Sequence, residues 1–565
     1  MTLPINAAIR AYADGYDMAK PALMGRQAAG NGFLRAAVKA RGEETVLGFS
    51  PSASTAAGFE AIVKLIDPAA PFEWISTAQP QKLAKAGVLY LADATLAAHA
   101  RARLRSGVAA YSLCGVTHTT ASQGTMGEIA GLLQQPAMPW DALVCTSSAV
   151  VETVRKVHEA EADYLRWRLG ADIKFDGPQL PVIPLGVHCD DFVFSEAQRQ
   201  NARQALELDP DEVVGLFVGR LVWHAKAHPF AMYRGLQMAA ERTGKKVALI
   251  LCGWSPNEQV AEVFRSGAAQ FAPDVRLIFV EGRDASQRDI AWSASDIFLS
   301  LADNIQETFG LTPIEGMAAG LPVVVTDWNG YKDTVRDGVD GFRIATLAPL
   351  PGMGQPIASA FEAGSLSYDR YCWAVAATTS IDLGHLTDAL AALIANPAVR
   401  QRMGEAGRKR ARAVYDWSGV YRQYQALWAE LNARRVAATS DVAWAARLAA
   451  APQALSTNLD PYDAFAHYPT HQIDGLSTVM RADGADDSGL ASCLGHPLFG
   501  WLPSPADELT GIFGMINSAP QTTSGLARAS KRPLAVMARA VAQLAKMGLV
   551  VIRPVPETEG VTRSE

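Results

Sequence analysis

Cysteine is scarce in this chain and scattered: Cys114, Cys145, Cys189, Cys252, Cys372 and Cys493 show no C-x-x-C pair and no metal-ligand spacing. That pattern argues against a disulfide framework or a structural zinc site and suits a reducing compartment. Long apolar runs are missing as well. None approaches the roughly 18 to 20 residues of a membrane span, and the opening MTLPINAAIRAYADGYD lacks a basic start followed by an apolar core. A soluble, cytoplasmic protein with no membrane span is expected. Nor is there an excess of one charge: 51 Lys and Arg against 57 Asp and Glu leave a formal charge of −6. That balance gives no electrostatic case for nucleic acid or anionic lipid as a general partner.

What the chain does have is length and a repeated pattern. Its 565 residues are enough for two to four domains with large cores. Short apolar runs at 45–50, 72–77, 88–93, 110–116, 142–147 and 181–186 alternate with helical stretches, and a second series follows at 214–219, 247–252, 275–280, 296–301 and 322–326. Runs without polar alternation predict strands buried on both faces of parallel sheets. The expected class is therefore α/β, with two Rossmann-like doubly wound domains, 1–189 and 190–436, facing each other across a cleft. Residues 437–565 read as an appended, mainly α module.

The stretch richest in chemistry is NIQETFGLTPIEGMAAGLPVVVTD, Asn304 to Asp327. Thr312 can serve as N-cap with Pro313 at the first helical position and Glu315 at the third, and Gly320 with Pro322 ends the helix before VVV. The free amides of Gly310, Leu311 and Thr312 form an anion site helped by the helix dipole. Glu315 reads equally well as a capping-box carboxylate. Glu307 lies before the cap, in a loop, where a carboxylate reaches sugar hydroxyls or faces water.

E-x7-E followed by a small-residue helix and a P-V-V strand resembles the donor-sugar signature of retaining glycosyltransferases of the GT-B fold, the large family of glycogen, sucrose and mannosyl transferases. The resemblance implies that Glu307 contacts the donor sugar, Glu315 the nucleotide ribose, and the backbone of Thr308, Phe309, Gly310, Leu311 and Thr312 the diphosphate. Further matches follow in family order. Leu216-Phe217-Val218-Gly219-Arg220 with Lys226 resembles the strand-loop unit whose Arg and Lys neutralise the diphosphate, work that needs fixed cations when no metal is present. AYSLCGVTHTT, ending near His118, resembles the segment whose histidine lines the sugar pocket. Gly25 to Gly32, including Gly30, Asn31 and Gly32, resembles the glycine-rich loop near the reaction centre.

The resemblance covers about the first 435 residues and departs from the family in two places. Pro349 to Ser380 reads as an inserted loop, and Asp327-Trp328-Asn329-Gly330-Tyr331 carries bulky residues where relatives often have two glycines. It implies a metal-independent hexosyltransferase with no cofactor, taking a UDP- or GDP-linked sugar to an acceptor glycan, metabolite or protein. Two other readings fit part of the pattern: a nucleotide-sugar epimerase of the same fold, and a catalytically silent scaffold acting through its last module. In that module, helices expected near 505–517, 522–530 and 533–547 run into a strand at Gly548-Leu549-Val550-Val551-Ile552-Arg553, an order similar to a winged helix. Arg528, Lys531, Arg532, Arg539 and Lys546 supply some positive charge, but Val536 and Leu544 read as core, so docking or homo-oligomerisation is expected there before nucleic-acid binding. His467 and His471 flank Pro469, which breaks the helix that would pair them, so no metal site is expected. Arg101, Arg103 and Arg105 are expected to form a solvated helix face.

Overall fold

The computed structural model describes residues 6–18, 25–172, 175–224, 226, 228–452 and 459–554. The chain divides into two compact units, Met1–Ala454 and Leu455–Glu565. Within the first, β1 (Ala8–Arg10), β2 (Val46–Ser50), β3 (Phe72–Ser76), β4 (Val88–Leu91), β5 (Ser112–Val116) and β6 (Ala142–Val144) form one parallel sheet in the order β3-β2-β1-β4-β5-β6. A second parallel sheet holds β7 (Val213–Val218), β8 (Val247–Gly253), β9 (Val275–Glu281), β10 (Ile297–Ser300), β11 (Val323–Thr326) and β12 (Gly341–Ile344), in the order β12-β11-β10-β7-β8-β9. Both follow the doubly wound order in which the chain starts centrally, moves to one edge, then returns to build the other. This reversal leaves a crevice at the carboxyl ends of the two central strands, here β7 and β10. The two-domain α/β architecture expected from the sequence is therefore present.

The strands form where uninterrupted apolar runs can be covered on both faces. Val213, Val214, Leu216 and Phe217 of β7, and every residue of β10 and β11, are buried. The run at 181–186 forms no strand; it lies beside β6 through a single bridge, Cys145 to Val182. β1 (AIR) and β12 (GFRI) each carry an arginine, so neither reads as an unbroken apolar run.

Three local expectations change. Gly25 to Gly32 is the first part of a helix, Gly25–Ala40, and not a loop. Its glycines are points of close packing: a Cβ on Gly30 would stand 2.1 Å from the Gly15 carbonyl oxygen, and one on Gly32 2.5 Å from the Trp417 indole nitrogen. The helix expected to begin at Pro313 starts two residues sooner, as Leu311–Ala319 with Gly310 as N-cap at φ 84° and no side-chain cap bond. Glu315 sits too far along it to close a capping box. Arg103 is not solvated: with Asp141 it forms an ion pair whose side chains are both fully buried.

The inserted stretch is a helical hairpin. β13 (Thr346–Leu347) pairs antiparallel with β14 (Ser380–Ile381), and between them lie helices Gln355–Glu362 and Tyr368–Ala376. Phe361 stacks on Tyr371 with ring centroids 4.3 Å apart and holds the two helices together.

After the second sheet the chain returns to the first domain. The helix Trp417–Ser440 runs straight through position 437, where the appended module was expected to begin. It buries Trp417, Tyr421, Tyr424 and Trp428 around Phe33 and Tyr90, which stack at 3.9 Å. At the crossing the two connections run side by side: Val187 N–H donates to the Tyr415 carbonyl at 2.8 Å, and Trp417 N–H to the Val187 carbonyl at 3.1 Å.

The second unit pairs β15 (Thr478–Arg481) with β16 (Gln521–Thr522) and β17 (Val550–Arg553), both antiparallel. Helices Ala506–Met515, Thr523–Ala529 and Leu534–Lys546 cover a core of Leu509, Phe513, Leu526, Met537, Val541 and Leu544. Helices and β17 fall where the sequence placed them; β15 was not foreseen. Among the described residues no helix is long and apolar enough to cross a membrane.

Candidate active site

A cavity of about 380 Å³ opens at the carboxyl ends of β7, β8, β9 and β10, lined by Gly219, Arg220, Lys226, Glu307, Thr312 and Glu315 together with Gly253, Gly282, Arg288 and Tyr331. Gly25, Ala28 and Asp191 complete its wall. Residues far apart in sequence meet here because each sits just past the end of a strand or on the first turns of the next helix. The glycines allow backbone to come close: a Cβ on Gly282 would stand 2.6 Å from the Gly253 Cα.

The loop that carries Glu307 is held from several sides. The Asn304 side chain accepts from the amides of Gln306 and Glu307 and donates to the Lys226 carbonyl. Trp328 Nε1 donates to the Asn304 carbonyl at 2.9 Å, and Asn329 donates to the Glu307 carbonyl. The bulky residues at 328–331 therefore brace this loop. Tyr331 sits against Gly310, where a Cβ would come within 2.0 Å of its ring, and its hydroxyl bonds Ser300 at 2.7 Å. Ser147, from the first domain, donates to the Thr308 carbonyl at 2.9 Å.

Charge is arranged unevenly. Burial by itself would raise the Glu307 carboxyl, but Lys226 at 3.4 Å and the amides of Phe309 and Thr308 outweigh it and hold the group below the ordinary carboxylate range. Glu315 has no such partners. Burial pushes it up to about 7, opposed only in part by Arg288 and Lys226. Burial also lowers Arg220, with Asp369 opposing. The amides of Gly310, Leu311 and Thr312 open the Leu311–Ala319 helix with no carbonyl of their own helix to bond, which directs partial positive charge at its start.

The other expected site residues lie outside this cavity wall. His118 Nε2 bonds the Ala92 carbonyl at 2.9 Å, and burial lowers its pKa. Asn31 donates to the Tyr16 carbonyl at 2.9 Å. Phe309 is buried against Tyr415 with centroids 6.3 Å apart. Arg288 was missed by sequence reasoning. It lies alone on the Ala285–Ala294 helix, anchored by a 2.8 Å bond to the Gly282 carbonyl, and nothing local sets it apart.

Glu315 makes a checkable pH prediction. The unfolded carboxyl ionises near 4.5 while the folded one keeps its proton to about 7, so the folded chain binds more protons in that window and stability falls as pH rises through it. Glu315→Gln is expected to be more stable than the wild type at pH 8 by up to about 3 kcal/mol and equal to it at pH 4.5. Thermal melts at the two pH values test this; an equal offset at both would refute it.

Residues 198–347 match the family model described as glycosyl transferases group 1. This stretch of the second domain is similar to the group 1 glycosyl transferases. Similar proteins include an alpha-maltose-1-phosphate synthase of Mycobacterium tuberculosis, 27% identical over 222 residues that cover 39% of this chain and 48% of that protein. A D-inositol 3-phosphate glycosyltransferase of Mycobacterium marinum is 33% identical over 170 residues, 29% of this chain and 34% of the relative. The chain thus spans about half or less of the length of these curated relatives. Among solved structures, HepE of Anabaena in complex with UDP aligns with a TM-score of 0.49 and 15% identity, over 76% of this chain and all of that one. The group 1 transferase match ends at 347, where the helical hairpin begins.

Proposed function

We propose that the chain is a retaining, metal-independent glycosyltransferase that moves a hexosyl group from a nucleotide-diphosphate donor to an acceptor hydroxyl. One observation carries the reading: Arg220, Lys226, Glu307, Thr312 and Glu315 line a single cavity at the carboxyl ends of the central strands of a domain similar to the group 1 glycosyl transferases. In this reading the acceptor oxygen forms the new bond to the anomeric carbon as the bond to the diphosphate breaks. The acceptor's proton passes to the departing oxygen, on the same face of the sugar. Arg220, Lys226 and the helix-start amides stabilise the charge that gathers on the diphosphate. Glu307, kept ionised by Lys226, accepts hydrogen bonds from donor-sugar hydroxyls, and Glu315 meets the ribose. The similarity to a D-inositol 3-phosphate glycosyltransferase of Mycobacterium marinum supports the transferase class.

The test is a binding titration against UDP-, GDP- and ADP-glucose with Glu307→Ala and Lys226→Ala alongside. Selective binding of one donor, weakened about tenfold or more in both variants, is the expected result. A wild type that binds none of the three would overturn the reading.

A further inference from the structure

Glu307 is fastened to the first domain on both sides, and one of the two fastenings comes from the inserted hairpin. On its carboxyl side, the Thr308 carbonyl accepts from Ser147 Oγ at 2.9 Å. On its amino side the link is relayed. Gln306 Nε2 donates to the Tyr368 hydroxyl at 3.3 Å, and that hydroxyl lies 3.2 Å from Thr119 Oγ1 of the first domain. A phenol oxygen can accept one hydrogen bond while its own proton serves another, so a single tyrosine completes the path from the loop to Thr119.

The hairpin holds this tyrosine in place. Its first helix, Gln355–Glu362, buries no residue, whereas the second, Tyr368–Ala376, buries Cys372 and Ala376. The second helix is therefore the one that docks. Ser367 caps it by accepting from the Arg370 amide at 3.3 Å, which sets Tyr368 at the first helical position. Further along, Trp373 stacks on His228, with centroids 5.5 Å apart and planes at 25°. The supports of the Glu307 loop at Asn304, Trp328 and Asn329 belong to the second domain, as do Arg220, Lys226, Thr312 and Glu315 of the cavity wall. Those groups shape the loop within its own domain. They do not set where Glu307 stands relative to the first domain.

We infer that Tyr368 is a positioning residue of the proposed transferase site: its hydroxyl joins Gln306 to Thr119 and so fixes Glu307 with respect to the first domain. The inference rests on the transferase reading for its effect on turnover, and on the hairpin's own bonds for its effect on the loop. In that reading the second domain holds the donor, and the acceptor reaches it from across the cleft. A misplaced Glu307 then costs rate more than donor affinity, because the reacting groups lose their alignment.

Tyr368→Phe deletes the hydroxyl and keeps the ring. In the full-length protein, amide hydrogen exchange across 304–312 is expected to be about fivefold faster than in the wild type, the size of one lost hydrogen bond. Exchange across 368–376 should stay unchanged, because the Trp373–His228 and Phe361–Tyr371 stacks remain. Thr119→Val should loosen the same loop, and Thr119→Ser, which keeps a hydroxyl, should match the wild type. Tyr368→Phe combined with Thr119→Val should exchange no faster than Thr119→Val alone, since both break one path. Unchanged exchange across 304–312 in Tyr368→Phe overturns the inference, as does full additivity of the two substitutions or an equal rise throughout the hairpin. With the donor identified by titration, Tyr368→Phe is expected to keep its affinity within about twofold and to release nucleoside diphosphate about fivefold more slowly. A loss confined to affinity overturns the inference as well. A chain whose loop exchanges faster in Tyr368→Phe but which binds no nucleotide sugar would refute the transferase reading and leave Tyr368 as the anchor of that loop.

Discussion

Lys226→Ala is expected to lower turnover by about a hundredfold or more, the size seen when one fixed electrostatic contact to a developing charge is removed. Two losses combine in this variant. The ammonium that faces the departing diphosphate is gone, and Glu307, 3.4 Å away, loses the partner that offsets its burial. Its carboxyl then rises toward protonation, and a protonated Glu307 is a poorer acceptor for sugar hydroxyls. Adding Glu307→Gln to Lys226→Ala should therefore cost less than Glu307→Gln costs alone, since the two act as one unit. Steady-state rates with the donor identified by titration decide it; full additivity would place the two side chains in separate roles.

The second large effect is on stability. Asp141 accepts from both terminal nitrogens of Arg103, at 2.6 and 2.7 Å, and from the amides of Leu113 and Met138, each at 2.8 Å. Arg103 also donates to the carbonyls of Tyr111 and Pro136. Both side chains are fully buried, so removing one strands the other without water. Asp141→Ala should cost about 3–5 kcal/mol and lower the melting temperature of the first domain on the order of 10 °C. The double replacement Arg103→Met with Asp141→Leu should recover most of that loss, because it leaves no buried charge behind. A melting temperature unchanged in Asp141→Ala would show that water reaches the site.

The pair also shows where sequence reading stopped. Arg101, Arg103 and Arg105 alternate as a solvated face does, and the partner of the middle one lies 38 residues away, so no local signal could separate it from its neighbours. Glycines misled in a similar way. Gly30 and Gly32 resemble a loop because glycine weakens helices by about 1 kcal/mol each, but here they admit the Gly15 carbonyl and the Trp417 ring. Where chemistry and spacing share one short stretch, the sequence was legible: Glu307, Thr312 and Glu315 fall within nine residues and line the same cavity. The doubly wound order was legible because buried parallel strands need unbroken apolar runs. Tyr368 was not, since its hydroxyl meets Thr119 and Gln306 only once the hairpin has folded.

The return of Trp417–Ser440 to the first domain has a consequence for biosynthesis. On the ribosome, Phe33 and Tyr90 emerge more than 300 residues before the aromatic side chains that cover them. The second domain, contiguous in sequence, is complete first. Its neighbour must wait, with an apolar face open to chaperones, until the helix emerges from the exit tunnel. A stop codon just after Tyr415 would leave a finished second domain joined to a first domain that has no way to close its core.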